Sequence, residues 1–413
     1  MKTEPRVAFF PDSLLEVNGV AHTSRQLVAY AQRQQLPLLC VHGGAAAAQT
    51  QTGSVTQLTL ARSRWGFRLD ADFRYDLLFW RHARRVLAAV RDFRAEVIHL
   101  TGPNDTGQLG AFVAWQLGLP LVVSWHTNVH EYAGARLARV TPWLPRAARQ
   151  RLSRVATAQS LRGAVRFYQL GRVLLAPNEE LCTLLRQATG RPVQLMRRGV
   201  DTKLFSPLKR LRTDSTFLIG YVGRLTPEKN VRLLVTLDQA LRAAGIQDFR
   251  LVIVGEGSER GWLEQHLPRA TFTGVLRGEA LARAYANFDL FVFPSETDTF
   301  GNVVLEAQAA GVPALVSVHG GPKFILKADA SGLLADHPQD FVTAVLRLYA
   351  ERPRSQQMRV AARQRALEFS WDKVFSDVYQ AYAEACRHTP VRVAAVEPPL
   401  STLNLKGPNA TTH

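Results

Sequence analysis

The stretch SETDTFGNVVLEA (295–307) sets two carboxylates, Asp298 and Glu306, eight positions apart, with Gly301 between them. Glu306 sits among Val303, Val304, Leu305, Ala307 and Ala309, so a helix starting near Gly301 would be mostly buried. A carboxylate in such a place needs hydrogen-bond donors, and vicinal sugar hydroxyls are suitable ones. The free N–H groups at the start of that helix would suit a diphosphate, and Asp298, just before it, could reach a second polyhydroxyl group. The alternative is a capping aspartate with a glutamate in an internal salt bridge.

Two cations follow the same logic. In YVGRLTPEKN (221–230), Arg224 and Lys229 stand at the end of a predicted strand. Fixed cations there can neutralise a diphosphate leaving group as its charge develops, although either alone could be ordinary surface charge. In EVNGV (16–20), Gly19 opens a predicted helix and would allow close approach of a phosphate. SWHTN (124–128) places His126 at a strand end facing the same cleft, although a lone histidine can equally be structural.

The elements that must position these residues alternate strand and helix in two runs. RVAFFP (6–11), LPLLCVHGG, AEVIHLTGP, LPLVVSWHTN and RVLLAPN read as strands of the first, with 45–57 as a small-residue loop and DLLFWRHARRVLAAVRDF as a helix. Residues 197–215 break the pattern, which then restarts at FLIGYVGRL and continues through FRLVIVGEG, ATFTGVL, FDLFVFPSE and VPALVSVHGG. Alternation of this kind predicts an α/β chain of two Rossmann-like, doubly wound domains facing a central cleft. Ligands in such sheets sit beyond the carboxyl ends of the strands. The expected organisation is a first domain over 1–196, a linker over 197–215 and a second domain over 216–370. A helix over 371–387 and a flexible tail over 388–413 complete it.

Composition narrows the class. The 413 residues are 46% hydrophobic and 21% charged, ordinary for full cores. Three scattered cysteines argue against a disulfide framework or zinc site, and the N-terminus has too short an apolar core for a signal peptide. A cytoplasmic protein is expected, peripheral on the inner face of the membrane if it binds one. Residues 1–200 carry 26 Lys+Arg against 12 Asp+Glu, whereas 201–413 carry 25 against 22. Within the first half, 136–172 holds nine arginines and no acidic residue, interleaved with Leu, Trp, Val and Phe. It reads either as a solvated helical face or as a surface that rests on an anionic membrane. Nucleic acid is not an expected partner, because no recognition signature accompanies the charge. VIVGEGSERG (252–261) resembles a dinucleotide fingerprint, but its third glycine is one residue late and no acidic residue closes the next strand. A tight strand-to-helix turn is the better reading of Gly255 and Gly257.

Taken in order, EVNGV, SWHTN, RRGVDTKLFSP, YVGRLTPEKN, FVFPSETDTFGNVVLEAQAAGVP and GGP resemble the retaining glycosyltransferases of family 4, which have the GT-B fold. The similarity covers about residues 5–387. It implies a UDP- or GDP-linked sugar held mainly by the second domain and an acceptor held mainly by the first. On that resemblance Glu306 binds the nucleotide ribose, Arg224 and Lys229 the diphosphate, and Gly19 approaches it from across the cleft. His126 lies near the sugar, the backbone at Phe300, Gly301, Asn302 and Val303 contacts sugar and phosphate, and Val275 and Leu276 lie beside the base. The catalytic candidates are His126, Arg224, Lys229 and Asp298. No cofactor or metal is expected, and the last helix should cross back to the first domain.

The mechanism implied is front-face transfer of a hexose, with the departing phosphate helping to deprotonate the acceptor and no protein nucleophile. Asp298 departs from the family's commoner glutamate, and Phe324 in GGPKF replaces a glutamate of many relatives. The basic first domain resembles members that glycosylate membrane lipids, so a lipid or lipid-linked glycan is the expected acceptor, with a soluble saccharide as the alternative. The rivals are a sugar-nucleotide epimerase on the same fold and a non-catalytic basic binding protein.

Overall fold

The computed structural model describes residues 4–16, 18–63, 67–70, 73–126 and 145–387. The expected tail over 388–413 and residues 136–144 of the basic stretch over 136–172 lie outside the described residues.

The first sheet has eight strands. They are β1 (Val7–Phe10), β2 (Leu38–Gly44), β3 (Ala48–Thr52), β4 (Val55–Ala61), β7 (Val97–Leu100), β8 (Leu121–Ser124), β9 (Val173–Ala176) and β10 (Val193–Leu195). A separate antiparallel hairpin is made of β5 (Phe67–Asp70) and β6 (Phe73–Tyr75). The order is β10-β9-β8-β7-β1-β2-β4-β3, parallel except that β3 runs against β4. Strands such as β1, β7 and β9 are buried along their whole length, as parallel strands covered on both faces must be.

The sequence reading of 45–57 as a loop is corrected by β3 and β4. The two pair across a tight turn at Gly53, whose φ is +56°. β4 buries Val55, Leu58 and Leu60, whereas all five β3 residues (AQTQT) are exposed. An edge strand with two wet faces carries no apolar alternation to read. The predicted helix from Asp76 also begins late. The buried Asp76 carboxylate accepts from Leu78 N at 2.9 Å, a 3-10 turn follows over Phe79–His82, and α2 (Ala83–Asp92) starts only after it.

Three helices of the first half open directly on an asparagine cap in the loop that follows a strand. Asn18 accepts from Ala21 N before α1 (Gly19–Arg33), and Asn104 from Gly107 N before α3 (Asp105–Leu117). After the basic helix α4 (Arg146–Tyr168), Asn178 accepts from Leu181 N before α5 (Glu179–Thr189). Such caps satisfy amides that the helix leaves free, and they fix where each strand-end loop lies.

The second sheet is wholly parallel, in the order β13-β12-β11-β14-β15-β16. Its strands are β11 (Phe217–Val222), β12 (Phe249–Val254), β13 (Thr271–Gly274), β14 (Leu290–Phe293), β15 (Ala314–Ser317) and β16 (Gly332–Ala335). The helices are α6 (Leu233–Ala243), α7 (Arg260–His266), α8 (Gly278–Asn287), α9 (Asn302–Ala309), α10 (Pro338–Ala350) and α11 (Arg352–Leu367). The strand order reverses between β11 and β14, and in the first sheet between β1 and β7; such reversals open a crevice at the carboxyl edge.

The last helix, α12 (Trp371–Arg387), leaves the second half and packs on the first. Its Trp371, Val374, Phe375, Val378, Tyr379 and Tyr382 share one buried cluster with Val7, Phe9, Val97 and Val122.

Candidate functional site

The reversal in the second sheet is occupied by an ion pair. Lys229 lies in a 3-10 turn (Pro227–Lys229) after β11, and Asp298 in the loop after β14. Lys229 Nζ stands 2.8 Å from Asp298 Oδ1 and 2.7 Å from Oδ2. The lysine is buried and its ammonium lies 6.0 Å from the centre of the Phe293 ring. Burial would raise the Asp298 carboxyl, but the Lys229 ammonium, helped by Arg224, holds it below the usual carboxylate range. The sequence reading gave these side chains separate tasks; the structure joins them. Arg224 is exposed, and no side-chain hydrogen bond or ion pair involves it among the described residues. Its carbonyl accepts from Tyr221 Oη at 2.9 Å.

Gly301 turns the chain into α9 with φ +89° and ψ +66°, the left-handed region that glycine occupies freely. A Cβ there would come within 3.0 Å of Pro322 Cγ. No side chain caps the helix, so its first amides and its dipole face the strand-end crevice. Phe300 is buried against Phe369, which leaves only its backbone for a ligand. Asn302 and Val303 are half-buried on the first turn. One turn on, Glu306 Oε2 accepts from Tyr285 Oη at 2.9 Å. Burial pushes the Glu306 carboxyl up to about 7, with the Tyr285 hydroxyl pulling the other way. Glu306 has no cation partner among the described residues, so the internal salt bridge weighed for it falls instead on Asp298.

Val275 and Leu276 follow β13, the first exposed and the second half-buried against the core. Beside them, Gly255 (φ +142°) donates to Gly274 O at 2.9 Å, and a Cβ on it would lie 1.9 Å from Gly223 O. The glycine is required by close contact between neighbouring strand-end loops, as expected of a tight turn.

From the first half, Gly19 faces the α9 turn: a Cβ there would stand 3.4 Å from Asn302 Nδ2. His126 is placed differently from the expectation that its ring faces the sugar. Only 8% of the residue is exposed. Nε2 lies 2.7 Å from Ser124 Oγ and Nδ1 3.0 Å from Arg198 Nη2. Burial, with Arg198 adding to it, holds the imidazole neutral far below its usual range. The group that meets the other half is its carbonyl, which accepts from Thr299 Oγ1 at 3.0 Å. Sequence reasoning missed Tyr285, Arg198, Thr299 and Asn178, whose Nδ2 donates to Thr299 O at 2.8 Å.

Chemically the crevice offers two cations and a helix N-terminus for a diphosphate, and a half-buried carboxylate for hydroxyl groups. Two doubly wound domains meeting at such a crevice define the GT-B architecture. A sucrose-phosphate synthase from Thermosynechococcus elongatus shares the fold, with a TM-score of 0.70 at 19% identity over 92% of this chain and 98% of that one. Residues 17–204 match the model described as Glycosyltransferase Family 4, and 216–351 that of Glycosyl transferases group 1. A GDP-mannose-dependent alpha-mannosyltransferase of Mycolicibacterium smegmatis is 34% identical over 75% of this chain and 79% of its own. A GDP-mannose-dependent alpha-(1-6)-phosphatidylinositol dimannoside mannosyltransferase of Mycobacterium tuberculosis is 36% identical over 42% of this chain and 48% of its own. The chain belongs to glycosyltransferase family 4, and it is a glycosyltransferase.

Proposed function

We propose that the protein transfers mannose from GDP-mannose, with retention at the anomeric carbon, to a lipid or lipid-linked acceptor. The observation that carries the donor assignment is the similarity to a GDP-mannose-dependent mannosyltransferase along three quarters of the chain. The crevice supports it, because each part of a nucleoside diphosphate sugar has a counterpart there. Glu306 accepts from the ribose hydroxyls, while Arg224, Lys229 and the α9 N-terminus take the diphosphate. Asp298 faces the hexose, and Val275 and Leu276 flank the base. The bond from the anomeric carbon to the phosphate oxygen breaks as the acceptor oxygen bonds to that carbon on the same face. The acceptor proton passes to the phosphate oxygen, and GDP leaves. Charge on the leaving group is met by side-chain cations, so the reaction is expected to run without a metal.

The lipid acceptor is supported by the phosphatidylinositol dimannoside enzyme among the relatives and by the surface of the first half. Leu77, Trp80 and Trp115 are exposed, with the Phe112 ring edge-on to Trp80 and tilted against Trp115 and Arg81, Arg84 and Arg85 exposed beside them. Aromatic and cationic groups side by side suit the interface of an anionic membrane. No helix among the described residues is long and apolar enough to cross one.

The test is a thermal-shift screen of GDP, UDP and ADP, followed by turnover of GDP-mannose in the presence of EDTA. Stabilisation by GDP above the others, with release of GDP unaffected by EDTA, is expected. Preference for UDP would overturn the donor assignment, and no response to any nucleotide would leave a non-catalytic binding protein as the better reading.

A further inference from the structure

The two halves are joined by the linker after β10, by the returning helix α12 and by the loop before α9, and all three run to one residue. Arg198 in the linker is buried, donates to Met196 O at 3.0 Å and sends its other terminal nitrogen to His126 Nδ1. A guanidinium has only donors, so Nδ1 accepts and Nε2 carries the proton toward Ser124 Oγ. Ser124 Oγ also meets His99 Nε2 at 2.8 Å, and His99 Nδ1 meets Tyr382 Oη of α12 at 2.7 Å. The pattern closes when Tyr382 donates to His99 Nδ1, both imidazoles donate to Ser124, and Ser124 donates to Leu100 O at 3.4 Å. Every ring nitrogen is then satisfied inside the protein, as buried polar groups require. The free carbonyl of His126 takes the Thr299 hydroxyl, and Asn178 takes the Thr299 carbonyl while its own side-chain oxygen caps α5. Thr299 is therefore gripped by the first half at its hydroxyl and its carbonyl, one residue after Asp298 and two before Gly301.

We propose that His126 is a positioning residue, the junction through which the linker and the returning helix hold the Thr299 loop, and with it Asp298 and the start of α9, against the first half. Its ring acts through Arg198, Ser124, His99 and Tyr382, and its carbonyl through Thr299. The inference rests on the glycosyltransferase reading for its effect on donor use, but not for its effect on how the halves sit together.

The test compares the native chain with Thr299→Val, Thr299→Ser, Tyr382→Phe and the Thr299→Val/Tyr382→Phe double variant. Small-angle scattering reads the separation of the halves, and GDP-mannose turnover reads KM and kcat. Loss of one hydrogen bond of this kind is worth about tenfold in an equilibrium. Thr299→Val should therefore enlarge the radius of gyration and raise the donor KM about tenfold, with Thr299→Ser restoring both. Tyr382→Phe should act in the same direction, about threefold, and the double variant should be no worse than Thr299→Val alone, because the two changes cut one chain. A native radius and KM in Thr299→Val, or a double variant whose effect is the product of the singles, would overturn the proposal. Should the native chain show no use of GDP-mannose, the donor assignment fails, while the scattering of Thr299→Val against native and Thr299→Ser still decides the junction.

Discussion

The Lys229 ammonium stands 2.7 Å from the Asp298 carboxylate at the point where the second sheet reverses its strand order. The two residues proposed to meet the diphosphate and the sugar therefore neutralise one another. An incoming diphosphate must compete for Lys229, and Arg224, which has no such partner among the described residues, can bind it first.

Asp298→Asn separates these tasks. The amide still accepts a hydrogen bond from Lys229 but leaves its charge free for phosphate, so GDP affinity should hold or rise by up to about tenfold. Transfer should fall by about a hundredfold or more, as expected when a group that meets the reacting sugar is lost. Lys229→Ala should weaken both. Calorimetric titration with GDP beside initial-rate measurements checks this; equal losses in binding and turnover for Asp298→Asn would refute the division.

Glu306 sets an acid limb for donor binding. Its carboxyl is raised to about 7, and the ribose hydroxyls need it ionised, so GDP affinity should fall as pH drops through 7. Tyr285→Phe removes the one donor among the described residues that favours the ionised form, and the limb should move to higher pH. Dissociation constants between pH 5.5 and 8.5 for native and variant would show it. An unmoved limb would mean that another group titrates.

The buried histidines predict acid sensitivity. Burial lowers His99 to about 3 and holds His126 far below its usual range, so the folded chain resists protons that the unfolded chain binds. The stability they confer is complete above pH 6.5 and is lost progressively as pH falls from there toward 3. His99 alone should cost about 2 kcal/mol between pH 7 and pH 5. Glu306 and Asp12, both raised to about 7, act in the opposite sense over the same window, so the difference between native and His99→Gln in urea unfolding at the two values measures this.

Membrane binding should depend on the exposed tryptophans. Sedimentation with vesicles containing anionic lipid should retain the native chain at low salt and release it as salt rises. Trp80→Ser/Trp115→Ser should weaken retention several-fold without altering GDP affinity. Indifference of the native chain to anionic vesicles would favour a soluble saccharide acceptor.

The alternation of apolar runs and helical patterns made both sheets legible, because a parallel strand covered on two faces must be apolar throughout. β3 was not legible, since five exposed polar residues look the same in a strand and in a loop. The loop before α9 stood out because carboxylates and a glycine are conspicuous in an apolar context. What its members touch was hidden by distance along the chain. Asp298 pairs with a lysine 69 residues away, and Glu306 with Tyr285, which reads as one more core aromatic. The His126 ring was assigned to the cleft from its strand-end position and from the family resemblance. Arg198 stood in a quoted motif, but nothing local reveals that its guanidinium folds back onto that histidine.

The returning helix has a consequence for the order of events during synthesis. The face of the first sheet formed by Val7, Phe9, Val97 and Val122 is covered by Trp371, Phe375, Val378 and Tyr382, which are made after every strand of both sheets. Those strands must wait for α12 before that face is dry. A chain stopped at residue 370 would lose the 17-residue helix from the second half's end, yet the damage would fall on the first. Protease protection of nascent chains should show the amino-terminal half becoming resistant only after α12 has emerged.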